Sequence, residues 1–539
     1  MASSLIAHIL LLLSSIQLII ASPVSVTAPT VTLPYGTFSG AYSSTYNLTY
    51  YRKIPFAAST AGDNRFRAPQ PPLPITNGTY NTDQAFDMCP QRTVNGSEDC
   101  LYLGAYSRPW TPPPKGPKKS LRPVLLTFYG GGFIQGSAAF SIPPSGFPVL
   151  NVSLQNDYVV VYSNYRTNVF GFLSGKTIAR HGDAHLNTGL LDQHAALVWI
   201  QQNIHVFGGD LANVTIWGQS AGGGSVVAQT IAAGNRGRRL FAKAMASSPY
   251  WPKTYRYDGA ENEALYAAVV AGAGCAGARD EVACLRGVDA QTLRDVSLTL
   301  TTSLQYTTSS FAWGPVIDDA FLTEPLSAAV KRRELNAELL LTSYNLHEGE
   351  NFIPPGLNSA AGAGGFNSSG ASFDAWLHGY LPGLRTGDLQ KLKTLYPAEG
   401  SAEEMVYNTT YARAGLVYRD LQLACPAYWL SASAKKGSLM EYTIAPAKHA
   451  SDTIYWNQVN AVQKSDPRTY EAYAGAMASF VQTGDPNAHK VTNESVVGVP
   501  LIKSGEQFVI RSGEIATEKA DRLEKKCAFW LSVADRIPI

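Results

Sequence analysis

Short apolar runs that are rich in β-branched and aromatic residues recur along the chain, and helical patterns separate many of them. The runs predict strands at 100–106, 123–129, 158–165, 214–218, 242–248, 337–344, 438–445 and 507–510. Apolar residues at helical spacing predict helices at 194–208, 261–274 and 468–484. Because the strand runs are nearly continuous in apolar character, we expect a mostly parallel sheet that is buried on both faces. Strands that alternate with helices indicate an α/β fold.

No linker divides the chain into halves that each carry a full set of strands. At about 150 residues per domain, 539 residues are enough for several domains of ordinary size. Hydrophobic residues make up 45% of the sequence and charged residues 16%, which favours one large core. We therefore predict one large domain with insertions over residues 22–539. The net charge of +2, without a basic block, argues against nucleic acid as the main partner.

The N-terminal residues 1–21 have the pattern of a secretory signal peptide. An apolar stretch runs from Leu5 to Ile20, and Ala21 suits cleavage, although no Lys or Arg precedes the stretch. An uncleaved membrane anchor is the alternative, but polar residues interrupt the stretch. No later segment reaches the ~18 apolar residues that a transmembrane helix needs. We therefore expect a secreted, extracellular protein without a stable membrane anchor.

Glycosylation sequons agree with export. They begin at Asn47, Asn77, Asn95, Asn151, Asn213, Asn367, Asn408 and Asn493. Each is a weak signal alone, because sequons that are buried or lie in strands stay unused. The least suitable is Asn213, since it leads directly into an apolar strand.

The cysteine count also agrees with export. The six cysteines are Cys89, Cys100, Cys275, Cys284, Cys425 and Cys527. An even number in an exported chain suggests three disulfides, although several connectivities are possible. Proximity favours Cys89–Cys100 and Cys275–Cys284, which leaves Cys425–Cys527. A zinc site is a poor alternative, because no CxxC or paired Cys/His spacing occurs, and we predict no metal.

The sharpest chemical signal is the pattern G-x-S-x-G from Gly218 to Gly222, with Ser220 at its centre. The apolar strand VTIWG precedes the serine, and a run of small residues that begins a helix follows it. This is the strand–turn–helix context of a nucleophile elbow, in which glycines permit a sharp turn that exposes the hydroxyl. A structural serine on a β–α loop is the alternative that this context disfavours.

A serine nucleophile needs a general base, because its hydroxyl barely ionises at neutral pH. His449 follows a predicted strand and would lie at its C-terminal end, where sites form in open α/β sheets. Glu348 follows another predicted strand and would orient the imidazole. The chain order Ser220, Glu348, His449 matches that of α/β-hydrolases. Glu350 and Asp452 remain alternative candidates for the acid.

A glycine-rich segment, Tyr129 to Phe133, follows a third predicted strand and corresponds to the H-G-G-G loop of esterases, with Tyr in the position of His. Negative charge that develops on an ester carbonyl oxygen needs N–H donors that are already in place. Gly131 and Gly132 would donate from this loop, and Ala221 from the elbow. An ordinary turn and a phosphate loop are the alternatives, but no phosphate-binding fingerprint follows.

These ordered motifs resemble the type-B carboxylesterase/lipase family, the cholinesterase-like branch of the α/β-hydrolases. The resemblance spans nearly the whole mature chain and rests on SEDCLYL (97–103), YGGGF (129–133), NYRTNVFGFL (164–173), the run 187–223, HEG (347–349), HASD (449–452) and TGDPN (483–487). It implies an α/β-hydrolase fold, with a large, mostly parallel central sheet flanked by helices and decorated with insertions. It also implies the triad Ser220, Glu348 and His449, the same oxyanion donors and the three disulfides that proximity favours.

Two departures from the family pattern bear on activity. Gln219 precedes the serine where the family usually has Glu, which changes the electric field around His449. The segment between Cys89 and Cys100 has ten residues and no aromatic side chain, whereas family lipases and cholinesterases have a longer lid or a choline-stacking Trp there. Because a quaternary ammonium group favours an aromatic face, cholinesterase activity is disfavoured. A large lipid lid is also less expected.

The sequence therefore predicts a secreted serine carboxylic-ester hydrolase that acts through an acyl-enzyme on short- to medium-chain or small-molecule esters. The alternatives are a triacylglycerol lipase and a specialised esterase of a secondary metabolite or cell-wall ester. A non-enzymatic adhesion protein is disfavoured, because all three triad residues are present. We expect an ester substrate as partner, no cofactor and no nucleic acid, and the sequence does not predict the oligomeric state. Phe133, Phe311 and Trp313 are candidates for lining the pocket, with core packing as the alternative.

Overall fold

The computed structural model describes residues 28–111, 121–152, 157–305, 309–398, 400–402, 405–407, 409–489 and 497–539. The predicted signal peptide and the sequons at Asn408 and Asn493 lie outside these residues.

The apolar runs of the described residues form strands, as the sequence predicts. The strands are β1 (Thr30–Leu33), β2 (Gly36–Ser39), β3 (Ala41–Ser43), β4 (Leu48–Pro55), β5 (Thr79–Asn81), β6 (Tyr102–Ser107), β7 (Arg122–Phe128), β8 (Val159–Ser163), β9 (Gly209–Gln219), β10 (Lys243–Ser247), β11 (Leu339–Asn345), β12 (Gly400–Ala402), β13 (Met405–Tyr407), β14 (Lys436–Tyr442), β15 (Glu506–Arg511) and β16 (Glu514–Lys519). Each strand predicted from the sequence is present, as β6 to β11, β14 and β15.

The helices lie mainly between these strands. They are α1 (Phe147–Val152), α2 (Asn168–Phe172), α3 (Lys176–Arg180), α4 (Thr188–Asn203), α5 (Ala221–Ile231), α6 (Ala260–Gly272), α7 (Glu281–Gly287), α8 (Ala290–Gln305), α9 (Leu326–Arg332), α10 (Gly370–Tyr380), α11 (Thr386–Leu395), α12 (Thr410–Arg419), α13 (Cys425–Ser433), α14 (Thr453–Trp456), α15 (Val462–Ser465), α16 (Pro467–Thr483) and α17 (Asp521–Ser532). The three predicted helices correspond to α4, α6 and α16. Across the described ranges, no helix has the length and apolar character to cross a membrane.

One sheet of eleven strands dominates the molecule, in the order β16-β15-β14-β11-β10-β9-β7-β8-β6-β4-β3. The strands from β15 to β8 in this order are parallel to their neighbours. The pairs at the two ends of the sheet are antiparallel. The expected mostly parallel centre is therefore confirmed, with antiparallel edges that the apolar runs did not indicate.

Helices cover the parallel centre of the sheet. Helix α5 packs against β9 and β10, and α13 packs against β11 and β14. Every residue of β10 is buried, including Lys243, whose Nζ donates to Asn213 Oδ1 at 2.6 Å and to the carbonyl oxygen of Val481. Burial along the whole strand is the reason that this part of the sequence has no polar alternation.

Three disulfides form with the pairing that proximity favours. Cys89 is joined to Cys100, Cys275 to Cys284, and Cys425 to Cys527. The last of these connects α13 to α17 across 102 residues of sequence.

The sequons within the described residues differ in exposure. Those at Asn47, Asn77, Asn95, Asn151 and Asn367 are exposed. The sixth, at Asn213, is only partly exposed, because this residue lies in β9 and accepts the hydrogen bond from the buried lysine of β10. The use of any of these sequons stays a prediction.

Candidate active site

Ser220 lies on a sharp turn between β9 and α5. Its backbone angles are φ 59° and ψ −126°, a strained conformation for a residue with a side chain. The flanking glycines make the turn possible. A Cβ at Gly218 would lie 2.2 Å from the carbonyl carbon of Gly222, and one at Gly222 would lie 2.1 Å from the carbonyl oxygen of Phe128. The turn thus has the geometry of a nucleophile elbow.

The sheet brings the two other predicted residues to the same edge. Glu348 follows β11 and His449 follows β14, and these strands are parallel neighbours. Strand β10 separates β11 from β9, which ends immediately before Ser220. Since all four strands run in the same direction, their carboxyl ends meet at one edge of the sheet.

The three side chains form one line of hydrogen bonds. His449 Nε2 lies 2.8 Å from Ser220 Oγ, and His449 Nδ1 lies 2.9 Å from Glu348 Oε2. The second oxygen of Glu348 accepts a hydrogen bond from the N–H of Asn345 at 3.1 Å. Asn351 Oδ1 accepts from the N–H of His449, also at 3.1 Å. Glu348 is fully buried and the imidazole is 12% exposed, so water cannot compete for the carboxylate.

The two alternative acids have other partners. Glu350 Oε1 lies 3.1 Å from His347 Nδ1, and its other oxygen accepts from Lys448 Nζ. Burial alone would raise the pKa of Glu350, but these two partners hold the pKa below its usual range. Asp452 is buried, and it accepts hydrogen bonds from the side chains of Asn345, Trp456 and Tyr473 at 2.9 to 3.0 Å. Within the described parts of the chain, neither Glu350 nor Asp452 is hydrogen-bonded to His449.

The glycine loop after β7 lies against the elbow. A Cβ at Gly130 would lie 2.6 Å from the carbonyl oxygen of Gln219. Gly131 and Gly132 have φ of 112° and 66°, which favours glycine at both positions. Among the described residues, no protein acceptor binds the N–H of either glycine. Ala221 opens α5, and the first N–H groups of a helix have no acceptor within the helix. The three predicted oxyanion donors are thus close in space to the serine turn.

The amide of Gln219 adjoins the imidazole. Gln219 Nε2 lies 3.3 Å from His449 Nε2, the same ring nitrogen that contacts Ser220 Oγ. The residue before the serine therefore touches the candidate base directly. Because this side chain is a neutral amide, it brings no negative charge to the imidazole.

One aromatic ring, Phe352, packs against the imidazole, and another, Phe311, borders the glycine loop; sequence reasoning named the second of these but not the first. Phe352 packs edge-on against His449 with ring centroids 4.9 Å apart. The sequence feature that could have indicated this contact is the position of Phe352 four residues after Glu348. The Phe311 ring lies about 3.1 Å from where a Cβ of Gly132 would stand, so it borders the glycine loop. Phe133 is fully buried and packs against Phe172, so core packing was its correct interpretation.

The short disulfide loop is attached to the same region. Gln91 lies within this loop and is buried, and its amide donates to the carbonyl of Gly136 and accepts from the N–H of Gly136, at 2.8 and 2.7 Å. Arg294 of α8 donates to the backbone carbonyls of Gln91 and Val94 at 2.6 and 3.1 Å. These bonds fix the loop to the chain that follows the glycine loop and to α8. In the described ranges, no cluster of His, Cys, Asp and Glu suits a metal ion.

The fold and this site define an α/β-hydrolase, a class in which a serine at a strand–helix elbow faces a histidine at the edge of a parallel sheet. The chain matches the model of the carboxylesterase family over residues 27–530, and it belongs to that family. It is thus a carboxylic ester hydrolase.

Relatives within this family have both esterase and lipase names. The chain is 30% identical over 472 residues to carboxylesterase patB of Aspergillus clavatus, a match that covers 85% of this chain and 80% of that protein. It is 32% identical over 332 residues to secreted lipase 1 of Botryotinia fuckeliana, which covers 55% of each. Among solved structures, EstA of Aspergillus niger matches with a TM-score of 0.79 and 23% identity, over 95% of this chain and 99% of that one. The structural match supports the fold alone.

Proposed function

We propose that the protein is a secreted serine esterase in which Ser220 is the nucleophile, His449 the general base and Glu348 the residue that orients the histidine. The observation that carries this proposal is the continuous line of hydrogen bonds from serine to imidazole to buried carboxylate, at 2.8 and 2.9 Å. Each bond is within the reach that proton transfer needs.

The proposed reaction has two halves. Ser220 Oγ attacks the ester carbonyl carbon while His449 Nε2 takes the hydroxyl proton, and the imidazolium then gives that proton to the departing alcohol. Water attacks the resulting acyl-enzyme, again with His449 as base, and the acid leaves while the proton returns to the serine oxygen. Glu348 keeps the proton on Nδ1, which leaves Nε2 free to accept.

The carbonyl oxygen becomes negative in both halves of the reaction. We assign Gly131, Gly132 and Ala221 as the donors of the oxyanion hole. The N–H groups of the two glycines have no acceptor among the described residues, and Ala221 lies at the start of α5, which supports this assignment. Loss of one such donor typically lowers kcat by about 10²- to 10³-fold.

For the substrate, we propose short- to medium-chain or other small esters. The ten residues between Cys89 and Cys100 are held by the bonds of Gln91 and Arg294, which does not suit a lid that opens at a lipid surface. A triacylglycerol lipase remains the second candidate, because relatives of similar identity are named lipases. A specialised esterase of a secondary metabolite or cell-wall ester is the third.

We also propose that the chain is exported through its N-terminal signal segment. Three disulfides support an oxidising compartment, since disulfides are rare in reducing ones. The exposed sequons and the secreted lipase among the relatives agree with export.

The test is hydrolysis of p-nitrophenyl esters from acetate to palmitate by the secreted protein. We expect an optimum at short to medium chains and loss of this activity in Ser220→Ala. A long-chain optimum that rises sharply at an oil–water interface would instead favour the lipase. Full activity in Ser220→Ala would refute the proposed nucleophile.

The matched control is Ser225→Ala, a serine of α5 that lies five residues further along the chain. Ser225 is fully buried, and its hydroxyl bonds the carbonyl of Ala221 and accepts from Gln193. Its loss affects packing of the same helix without removing the proposed nucleophile. We therefore expect this variant to keep turnover within about tenfold of the wild type, although its thermal stability falls.

A further inference from the structure

Two short basic segments that are far apart in sequence meet at one edge of the sheet. One precedes β10 and the other ends α9 and precedes β11, and these strands are parallel neighbours that begin side by side. We call their six cationic side chains the basic patch; they are Arg236, Arg238, Arg239, Lys331, Arg332 and Arg333. All six are exposed to solvent.

Two carboxylates hold the segments of the basic patch together. Glu334 Oε2 lies 3.0 Å from Arg236 Nη2 and 3.3 Å from Arg332 Nε, so both segments contact the same group. Glu324 pairs with the same two arginines. These contacts fix the position of one segment against the other. They also show that guanidinium groups of the patch bind carboxylates.

The other four cations of the patch have no carboxylate within ion-pair distance among the described residues. Lys331 Nζ donates to a backbone carbonyl of α17 at 3.2 Å, and Arg238 Nη1 lies 3.3 Å from His194 Nε2. The side chains of Arg239 and Arg333 form neither a hydrogen bond nor an ion pair with any described residue. Because the whole chain has a net charge of only +2, the patch is a local excess of positive charge.

The two unpaired arginines also have an unfavourable backbone conformation. Arg239 has a φ of 48°, and Arg333, the residue after the last turn of α9, has a φ of 56°. The left-handed region is costly for residues with a side chain, and glycine is the usual residue at such a helix end. The backbone therefore gives no reason for arginine at either position. Strain of this kind is typical of residues whose side chains serve a function.

The basic patch lies at the opposite edge of the sheet from the candidate active site. Its segments precede the amino ends of β10 and β11, whereas Ser220, Glu348 and His449 follow the carboxyl ends of their strands. Strand β11 has seven residues, so at about 3.3 Å per residue the two edges are about 20 Å apart. A ligand on the patch would therefore leave the serine turn accessible.

We propose that the basic patch binds an acidic polysaccharide whose charges are uronic-acid carboxylates. A guanidinium group matches a carboxylate with two parallel hydrogen bonds, and several exposed cations in one surface suit a linear polymer with repeated charges. A single-stranded nucleic acid would need aromatic rings for stacking, and a membrane would need an apolar side chain that inserts. Residues 236–239 and 331–334, all of which the structure describes, contain no exposed large apolar or aromatic side chain. This proposal does not rest on the proposed function.

Binding is measured by calorimetric titration of decagalacturonate into the full chain, with a neutral dextran of the same length as the comparison. We expect decagalacturonate to bind and dextran not to bind. Because the contacts are exposed, raising the salt concentration from about 20 to about 200 mM should weaken binding roughly tenfold or more. Equal binding of the charged and the neutral polymer would overturn the proposal, as would the absence of decagalacturonate binding at low salt.

The double variant Arg239→Gly with Arg333→Gly separates binding from folding. It removes two unpaired cations and at the same time relieves two left-handed positions, so its melting temperature should stay the same or rise. We expect decagalacturonate binding to weaken about fivefold or more, while hydrolysis of p-nitrophenyl butyrate stays unchanged. Misfolding would not give weaker binding in a protein that is at least as stable. Binding equal to that of the wild type would overturn the proposal.

The matched control removes two exposed cations outside the patch. Arg279→Gln with Lys391→Gln lowers the net charge by the same amount, and decagalacturonate binding should stay within about twofold of the wild type. An equal loss in the control would mean that net charge, rather than the patch, carries the binding, and would overturn the assignment. Tighter binding of single-stranded DNA of equal charge, or of phosphatidylserine vesicles, would overturn the polysaccharide as the partner.

Discussion

The amide nitrogen of Gln219 lies 3.3 Å from His449 Nε2 and is neutral. A carboxylate at this position would place a negative charge directly beside the imidazole. In Gln219→Glu, the new negative charge would stabilise the imidazolium form. The protonated histidine, which cannot act as a base, would then persist to higher pH. We expect the acidic limb of the kcat/KM profile to move upward by about one pH unit, so the variant loses activity in mild acid. A pH series with p-nitrophenyl butyrate measures this shift.

The control for that prediction is Gln219→Leu, which has a similar size and no charge. We expect the acidic limb to stay where it is in the wild type, with at most a uniform decrease in rate. A downward movement of the limb in Gln219→Glu would contradict the electrostatic argument.

Glu348 and Glu350 are two positions apart, and the structure gives them different partners. Glu348→Gln removes the charge that faces His449 Nδ1, and we expect kcat to fall by about 10⁴-fold, as when such a carboxylate is replaced by its amide in other triads. Glu350→Gln breaks a partly exposed ion pair with Lys448, and we expect activity within about tenfold of the wild type. Equal losses in the two variants would reject the assignment of the acid.

At the scale of single residues, a short motif made the local geometry of one turn predictable. The sharp turn at Ser220 was predictable because glycines and a strand surround this residue within a few positions. Phe352 carries no such motif, because its contact with the imidazole depends on elements that are distant in sequence. Phe352 reaches the imidazole only after β11 and β14 pair.

At the scale of elements, the junction of β9 and α5 depends on close contact with β7. A Cβ at Gly222 would lie 2.1 Å from the carbonyl oxygen of Phe128, which is backbone and cannot rotate away. We expect Gly222→Ala to displace the start of α5, to destabilise the fold by about 1–3 kcal/mol or more, and to lower kcat at least a hundredfold. Thermal melting and p-nitrophenyl butyrate hydrolysis measure the two effects.

A glycine with open space around it provides the comparison. Gly387 lies exposed near the start of α11, where no atom lies within 4 Å of a Cβ. We expect Gly387→Ala to stabilise the protein slightly, by about 0.5–1 kcal/mol, and to leave kcat unchanged. An active, stable Gly222→Ala protein would show that the elbow tolerates a larger residue than its contacts indicate.

The predictability of the elements follows their burial. Strands β7, β8 and β10 were evident because almost every residue in them is buried, so the sequence is continuously apolar. The outer antiparallel strands β3, β4 and β16 were not evident. In β16, Glu514–Lys519, only Ile515 is buried, and in β4 buried residues are separated by partly exposed ones. Such half-exposed strands depend on pairing with a neighbour, which a local apolar pattern does not encode.

At the scale of the whole molecule, the disulfides differ mainly in how much chain they enclose. Cys425–Cys527 spans 102 residues and connects α13, which covers the sheet, to the C-terminal α17. Cys275–Cys284 spans only 9 residues beside α7. In the chain-entropy model, a long loop restricts the unfolded chain more than a short one, so the long-range disulfide contributes more to the free energy of unfolding.

Replacing both cysteines of a pair by serine tests this difference. We expect a loss of about 4–5 kcal/mol for the Cys425/Cys527 double variant and about 2–3 kcal/mol for the Cys275/Cys284 double variant, measured by urea unfolding with a fluorescence readout. The loss should appear as a lower midpoint and, because the unfolded chain without the long cross-link expands, as a steeper dependence on urea for the Cys425/Cys527 variant. Equal losses in the two variants would mean that native-state contacts, rather than the length of the closed loop, set the contribution of each disulfide.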